Sequence, residues 1–164
     1  TIETSYPKNA LGKNLEWISR LIKGNLNSKV YYTSQGGYDT HDNQLVIQSN
    51  KFKELDSAIF SFYQDLKQAN LLQNVTIVVF SEFGRRVKDN GNGTDHGTAA
   101  PMFIIGGQNR GKVIGNNPNL SDLSQGDLKY QIDFRSVYAS LLKEKMAFDY
   151  TKIGIKNAPL QGLF

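Results

Sequence analysis

Two histidines occur in the whole chain, and each stands among carboxylates in a glycine-rich stretch. The first lies in GGYDTHDNQ, with Asp39, His41 and Asp42 close together. The second lies in NGNGTDHG, where Asp95 directly precedes His96. Glu82 follows the apolar run VTIVVF, with Arg85 and Arg86 just beyond it. Carboxylate oxygens and imidazole nitrogens together suit zinc, manganese or another divalent ion. A carboxylate beside a histidine can instead orient the imidazole without touching a metal. Asp39 and His41, two residues apart, face the same way in an extended segment and both reach one ion in a tight loop. Asp95 and His96 are adjacent and normally diverge. One of them would then coordinate, while the other is a hydrogen-bond partner or serves a second ion. Arg85 and Arg86 have the chemistry to hold a phosphate or sulfate group. Plainer readings exist for each: a turn with a solvated imidazole, an Asx turn at Asp95, a Glu82 paired with Arg85 or Arg86, and an exposed Arg86.

The elements that must position these residues read as alternating helices and apolar strands. Leu11, Leu15, Ile18 and Ile22 repeat at helical spacing, with Gly24 as a C-cap. KVYYTSQ (29 to 35) is β-branched and aromatic and predicts a strand ending at Gly36 and Gly37. From 49 to 72, Phe52, Leu55, Ile59, Phe62 and Leu66 recur every three or four residues, which predicts an amphipathic helix. VTIVVF (75 to 80) and PMFIIGG (101 to 107) are continuous apolar runs, the pattern of strands covered on both faces in a parallel sheet. The Gly-, Asn- and Ser-rich stretch after Gly107 predicts a surface excursion, with a short hairpin strand near 112 to 114. Asp133 predicts an N-cap for a last helix carrying Phe134, Val137, Leu141 and Leu142 on its buried side. This order implies an α/β architecture with a mostly parallel sheet, in a single domain over residues 1 to 164. Ligands of such sheets bind at the carboxyl ends of the strands. Both Asp-His clusters and Glu82 would converge on that rim.

Composition removes several function classes. Without cysteine there is no disulfide, no thiolate-ligated zinc and no cysteine nucleophile. The net charge of +4 is spread over several elements rather than gathered into a Lys/Arg block, which argues against a nucleic-acid partner. The longest apolar run is too short to span a membrane. The sequence contains neither GxGxxG, GxxxxGK[ST] nor GxSxG, so dinucleotide, P-loop and nucleophile-elbow readings lack support.

Taken together and in order, the stretches YDTH, SEFGR, NGNGTDHG and DFRSVYASLL resemble the bacterial family known as domain of unknown function 1501, commonly labelled sulfatase-like. That family is grouped with the alkaline phosphatase and sulfatase superfamily. The resemblance implies a three-layer α/β/α sandwich with a divalent-metal site at the strand ends, of which this chain is a C-terminal part. Asp39 and His41 correspond to the first loop's ligand pair, Glu82 and Phe83 to the later Asp-His pair, and His96 to a final histidine. Two departures accompany it: Phe83 stands where the second metal's histidine is expected, and Asp39 and His41 are closer together than the superfamily's pair. The superfamily's nucleophile and first metal carboxylate lie outside this stretch, so the fragment alone is expected to be inert. The implied activity is metal-dependent hydrolysis of phosphate or sulfate esters, on a small anionic ester or a sulfated or phosphorylated glycan. In that reading Asp39, His41, Glu82, Asp95 and His96 serve zinc or manganese, and Arg85 grips the anion. The alternative is a non-catalytic sulfatase-like relative acting in envelope assembly, carbohydrate binding or export. The resemblance also implies an exported parent protein, periplasmic or at the cell surface.

Overall fold

A computed structural model describes residues 4 to 107, 109 and 111 to 164. Helix α1 (Ala10–Lys23) starts where the Asn9 side chain accepts from the Gly12 amide at 2.7 Å, the N-cap bond that satisfies one of the first turn's free N–H groups. It ends at Gly24, as its sequence predicts. Helix α2 (Gln44–Gln68) begins five residues earlier than its periodicity indicates, directly after the Asp39–His41 segment. Leu11 and Leu15 of α1 pack against Ala58, Phe62 and Leu66 of α2 to form the core. At the same junction the Asp65 carboxylate accepts from Tyr6, Ser19 and Lys23.

The sheet architecture differs from the expectation. The three-layer α/β/α sandwich with a mostly parallel sheet, in the manner of alkaline phosphatase, is not what forms. Among the described residues there are three α-helices and three two-stranded antiparallel sheets. Strand β1 (Thr76–Val79) pairs antiparallel with β4 (Phe103–Gly106), Val79 lying opposite Phe103. Between them lies a second hairpin, β2 (Gly84–Asp89) with β3 (Thr94–Gly97). Parallel neighbours need a crossover, normally a helix, to carry the chain back to the same end of the sheet. Here no helix separates the two apolar runs. The β2–β3 excursion simply turns the chain round, so the second run returns antiparallel. Ile77 packs against the α1–α2 core, yet all four β1 residues stay only half-buried. The uniform apolar pattern of this strand therefore does not report two covered faces.

Two smaller expectations also fail. Residues 29 to 35 form no strand among the described residues, and Val30 and Tyr32 are exposed. An extended segment without a neighbouring strand has no ladder to join, however β-prone its side chains. Residues 112 to 114 are not a strand either; the small hairpin of this region is β5 (Leu123–Ser124) with β6 (Asp127–Leu128). Helix α3 (Phe134–Ser140) follows, with the Asp133 side chain accepting from the Arg135 amide as its N-cap, and it runs on into a π-helical turn, Leu141–Lys145. Val137 is buried while Phe134 is exposed.

Candidate metal centre

The loop before α2 and the β2–β3 hairpin are brought together by a dense polar seam. The hairpin reverses through Asn90, Gly91, Asn92 and Gly93, where the Asn90 amide donates to the Gly93 carbonyl at 2.9 Å. The Asn90 carboxamide accepts from the amides of Asn92 and Gly93, and its nitrogen donates to the His41 carbonyl at 3.0 Å. Asn92 donates to Asp42 through its side chain, and its carbonyl accepts from the Gln44 amide. The turn is thus pressed onto the backbone of the first histidine. A Cβ on Gly93 would sit 2.7 Å from the His41 carbonyl carbon and oxygen, so close approach is what requires glycine there. From the other side, Gln44 at the start of α2 accepts from the Thr94 amide at 2.8 Å.

These contacts bring Asp39, His41 and His96 together. Asp39 Oδ1 lies 2.9 Å from His41 Nε2 and 2.8 Å from His96 Nε2. One ligand atom from each residue falls within 4.8 Å of the other two. In a tetrahedral zinc site with bonds of about 2.0–2.1 Å, ligand atoms stand roughly 3.3 Å apart, so the carboxylate would need to retreat by about 0.5 Å. The donor set fits a divalent transition ion. The His96 hydrogen bond outweighs the opposing effect of dehydration and, joined by the charges of His96 and His41, holds the Asp39 carboxyl below its ordinary value. The ionised carboxylate is the form that binds metal. All three side chains are open to solvent, Asp39 at 65%, His41 at 49% and His96 at 43%.

The remaining predicted site residues take other places. Asp95 lies outside the triad and approaches His41 Nδ1 at 3.2 Å. Glu82 is exposed and makes no side-chain hydrogen bond or ion pair among the described residues. Arg85 directs its guanidinium at backbone: Nη1 donates to the Thr94 carbonyl at 2.6 Å, and Nη2 to the Tyr38 carbonyl and to Thr40 Oγ1. Arg86 ties down the small hairpin through Asp127 and the Gln125 carbonyl. A groove of about 1060 Å³ lies elsewhere, bordered by Met102, Phe103, Ile132, Phe134 and Leu160. Among the described residues its lining holds no Asp, Glu or His side chain, and it contributes nothing to the triad.

Three supporting residues carry no obvious signature in the sequence. Phe83 stacks flat on His96, with ring centroids 3.7 Å apart and planes 6° from parallel. Thr40, between Asp39 and His41, is buried and accepts from both Arg85 and Gln48. Asn90 anchors the turn as described. A signal for the hairpin itself was present: Asn-Gly repeated between two short runs is the strongest local mark of a tight β-turn.

The family described as Protein of unknown function (DUF1501) matches residues 24–158. The chain belongs to this family. No curated protein and no solved structure matches the chain.

Proposed function

We propose that Asp39, His41 and His96 hold one divalent ion, zinc or manganese, and that the protein uses it to hydrolyse a phosphate or sulfate ester. The observation that carries the metal reading is the convergence of three ligand atoms from two distant segments within 4.8 Å. Three protein ligands, two of them imidazoles, match hydrolytic zinc sites, which keep a further position for water or substrate. The ionised state of Asp39 and the openness of the triad to solvent favour the same reading. A bound ion would supply Lewis-acid polarisation of an ester oxygen and acidify a water molecule. The sulfatase-like kinship and the periplasmic or cell-surface setting belong to this proposal and go with an anionic ester or a sulfated or phosphorylated glycan.

A second reading, a non-catalytic sulfatase-like relative, is favoured by one specific observation. Phe83 lies flat on His96, at the sequence position where a second metal's histidine was expected. Two measurements separate the readings. Elemental analysis of purified protein should find one zinc or manganese per chain, with strong loss in His41→Ala and in His96→Ala. Unchanged metal content in both variants rejects the site. Turnover of phosphate or sulfate esters by the metal-loaded protein, in a form that includes the superfamily's nucleophile, supports the hydrolase; stoichiometric metal with no turnover in that form supports the non-catalytic relative.

A further inference from the structure

We propose that Arg85 is the positioning residue of this centre: one guanidinium clamps the segment bearing Asp39 and His41 to the strand bearing His96. Its consequence for metal affinity rests on the reading above, whereas its geometry rests on contacts alone. On the first side, Nη2 donates to the Tyr38 carbonyl and, at 3.1 Å, to Thr40 Oγ1, the residues on either side of Asp39. On the second, Nη1 donates at 2.6 Å to the carbonyl of Thr94, two residues before His96. A third contact completes the clamp. The guanidinium carbon lies 5.1 Å from the centre of the Phe83 ring, and that ring stacks on His96.

The strand pattern explains how one side chain does all three. Arg85 and His96 are cross-strand partners in the β2–β3 register. Residues two apart along a strand share a face, which aligns Thr94 with His96, while Phe83 directly precedes β2. Arginine suits this place because its planar fork carries five donors in fixed directions. A lysine ammonium is a compact point charge that cannot span acceptors on opposite segments in the same way. Among the described residues Arg85 forms no ion pair with a carboxylate, so its charge faces carbonyl dipoles and an aromatic ring. Three of its five donors are committed to these bonds, so an anionic ester drawing on the same donors would loosen the segments they hold. In this proposal the side chain acts through Asp39, His41 and His96.

The test uses the wild-type chain with Arg85→Ala, Arg85→Lys and, as the neighbouring control, Arg86→Ala. Zinc affinity is measured by competition with a chromophoric chelator. Ring-to-ring nuclear Overhauser contacts between His41 and His96, whose centroids stand 5.1 Å apart, are read in the metal-free chain. Loss of a residue that orients metal ligands typically weakens binding by about 10–100-fold, which is the expected result for Arg85→Ala. The contacts between the two imidazoles should vanish with it, Arg85→Lys should recover only part of both signals, and Arg86→Ala should match wild type. Retained contacts with wild-type zinc affinity in Arg85→Ala overturn the proposal. Should the wild type bind no zinc, the metal reading falls. The imidazole contacts still decide on Arg85, supporting the clamp if lost in the variant and rejecting it if kept. Should Arg85→Ala fail to fold by circular dichroism, Arg85→Lys carries the same two comparisons.

Discussion

Asp95 serves His41 across the site rather than His96 beside it in sequence: its Oδ1 lies 3.2 Å from His41 Nδ1. Neighbours on a strand point to opposite faces, so the two residues of the Asp95-His96 pair part company. Nε2 of His41 already faces Asp39 at 2.9 Å. A metal taking Nε2 leaves the ring proton on Nδ1, and Asp95 is there to accept it. With an ion bound, this would be the carboxylate–histidine–metal arrangement that fixes tautomer and ring orientation together.

Asp95→Ala should therefore weaken zinc binding by about 10–100-fold without removing a ligand. His41→Ala should weaken it far more. A chelator-competition titration measures both. Equal loss in the two variants would mean that Asp95 is itself a ligand, and no loss would mean that its contact with His41 does not matter.

Gly93→Ala should damage the fold and the site together. The added methyl meets the His41 carbonyl group at 2.7 Å, and neither partner is a flexible side chain that can swing away. Overpacking of this kind typically costs about 1–3 kcal/mol, which lowers the melting temperature by roughly 3–10 °C in a chain of this size. Zinc affinity should fall as well, because the turn presses on a ligand's own backbone. Gly36→Ala, whose methyl meets no atom within 4 Å, is the matched control and should change neither quantity.

The grouping of Asp39, His41 and His96 was more legible in the sequence than the architecture around it. Scarce histidines beside aspartates singled these residues out, although a turn with a solvated imidazole fits the same local pattern. The reading of Asp95 as a supporting group or a ligand was open, and its partner could not be assigned without the strand's alternation. The two apolar runs misled for a physical reason: hydrophobicity reports a strand's surroundings only when both faces are covered, and β1 is half-buried throughout. Direction is a property of the connection, and a loop read between 81 and 100 concealed a hairpin that reverses the chain. Phe83 looked like a missing ligand by position; its role as a platform for His96 depends on a 3.7 Å stacking that no spacing rule encodes.

Leu66 and Phe52 belong to the same apolar repeat on α2, yet they should respond very differently to truncation. Leu66 is fully buried against α1, whereas Phe52 is 53% exposed and touches the Tyr38 ring from one side. Leu66→Ala should cost about 2–5 kcal/mol through lost contacts and an unfilled cavity. Phe52→Ala should cost about 1 kcal/mol, the scale of a single aromatic pair. Urea unfolding of both variants checks the ranking, and a larger loss for Phe52 would show that the face it occupies is covered.

The junction between α1 and α2 should make the fold acid-sensitive through Asp65. Burial alone pushes the Asp65 carboxyl up, but hydrogen bonds from Lys23, Ser19 and Tyr6 outweigh it and hold the group below its ordinary value of 3.8. A carboxyl that is more acidic folded than unfolded stabilises the fold at every pH above its unfolded value. That contribution shrinks as the pH falls from about 4 through the folded value, because protonation then removes the acceptor shared by the three donors. Burial raises the Tyr6 phenol well above its usual range, so at neutral pH it stays protonated as a donor to Asp65. Asp65→Asn should accordingly lose about 1–3 kcal/mol at pH 7, the usual cost of breaking hydrogen bonds to a buried charge. Below pH 4 the gap between variant and wild type should close. Denaturant unfolding at a series of pH values between 7 and 2 measures that gap directly, and a constant difference across the series would exclude Asp65 ionisation as the source of the stability.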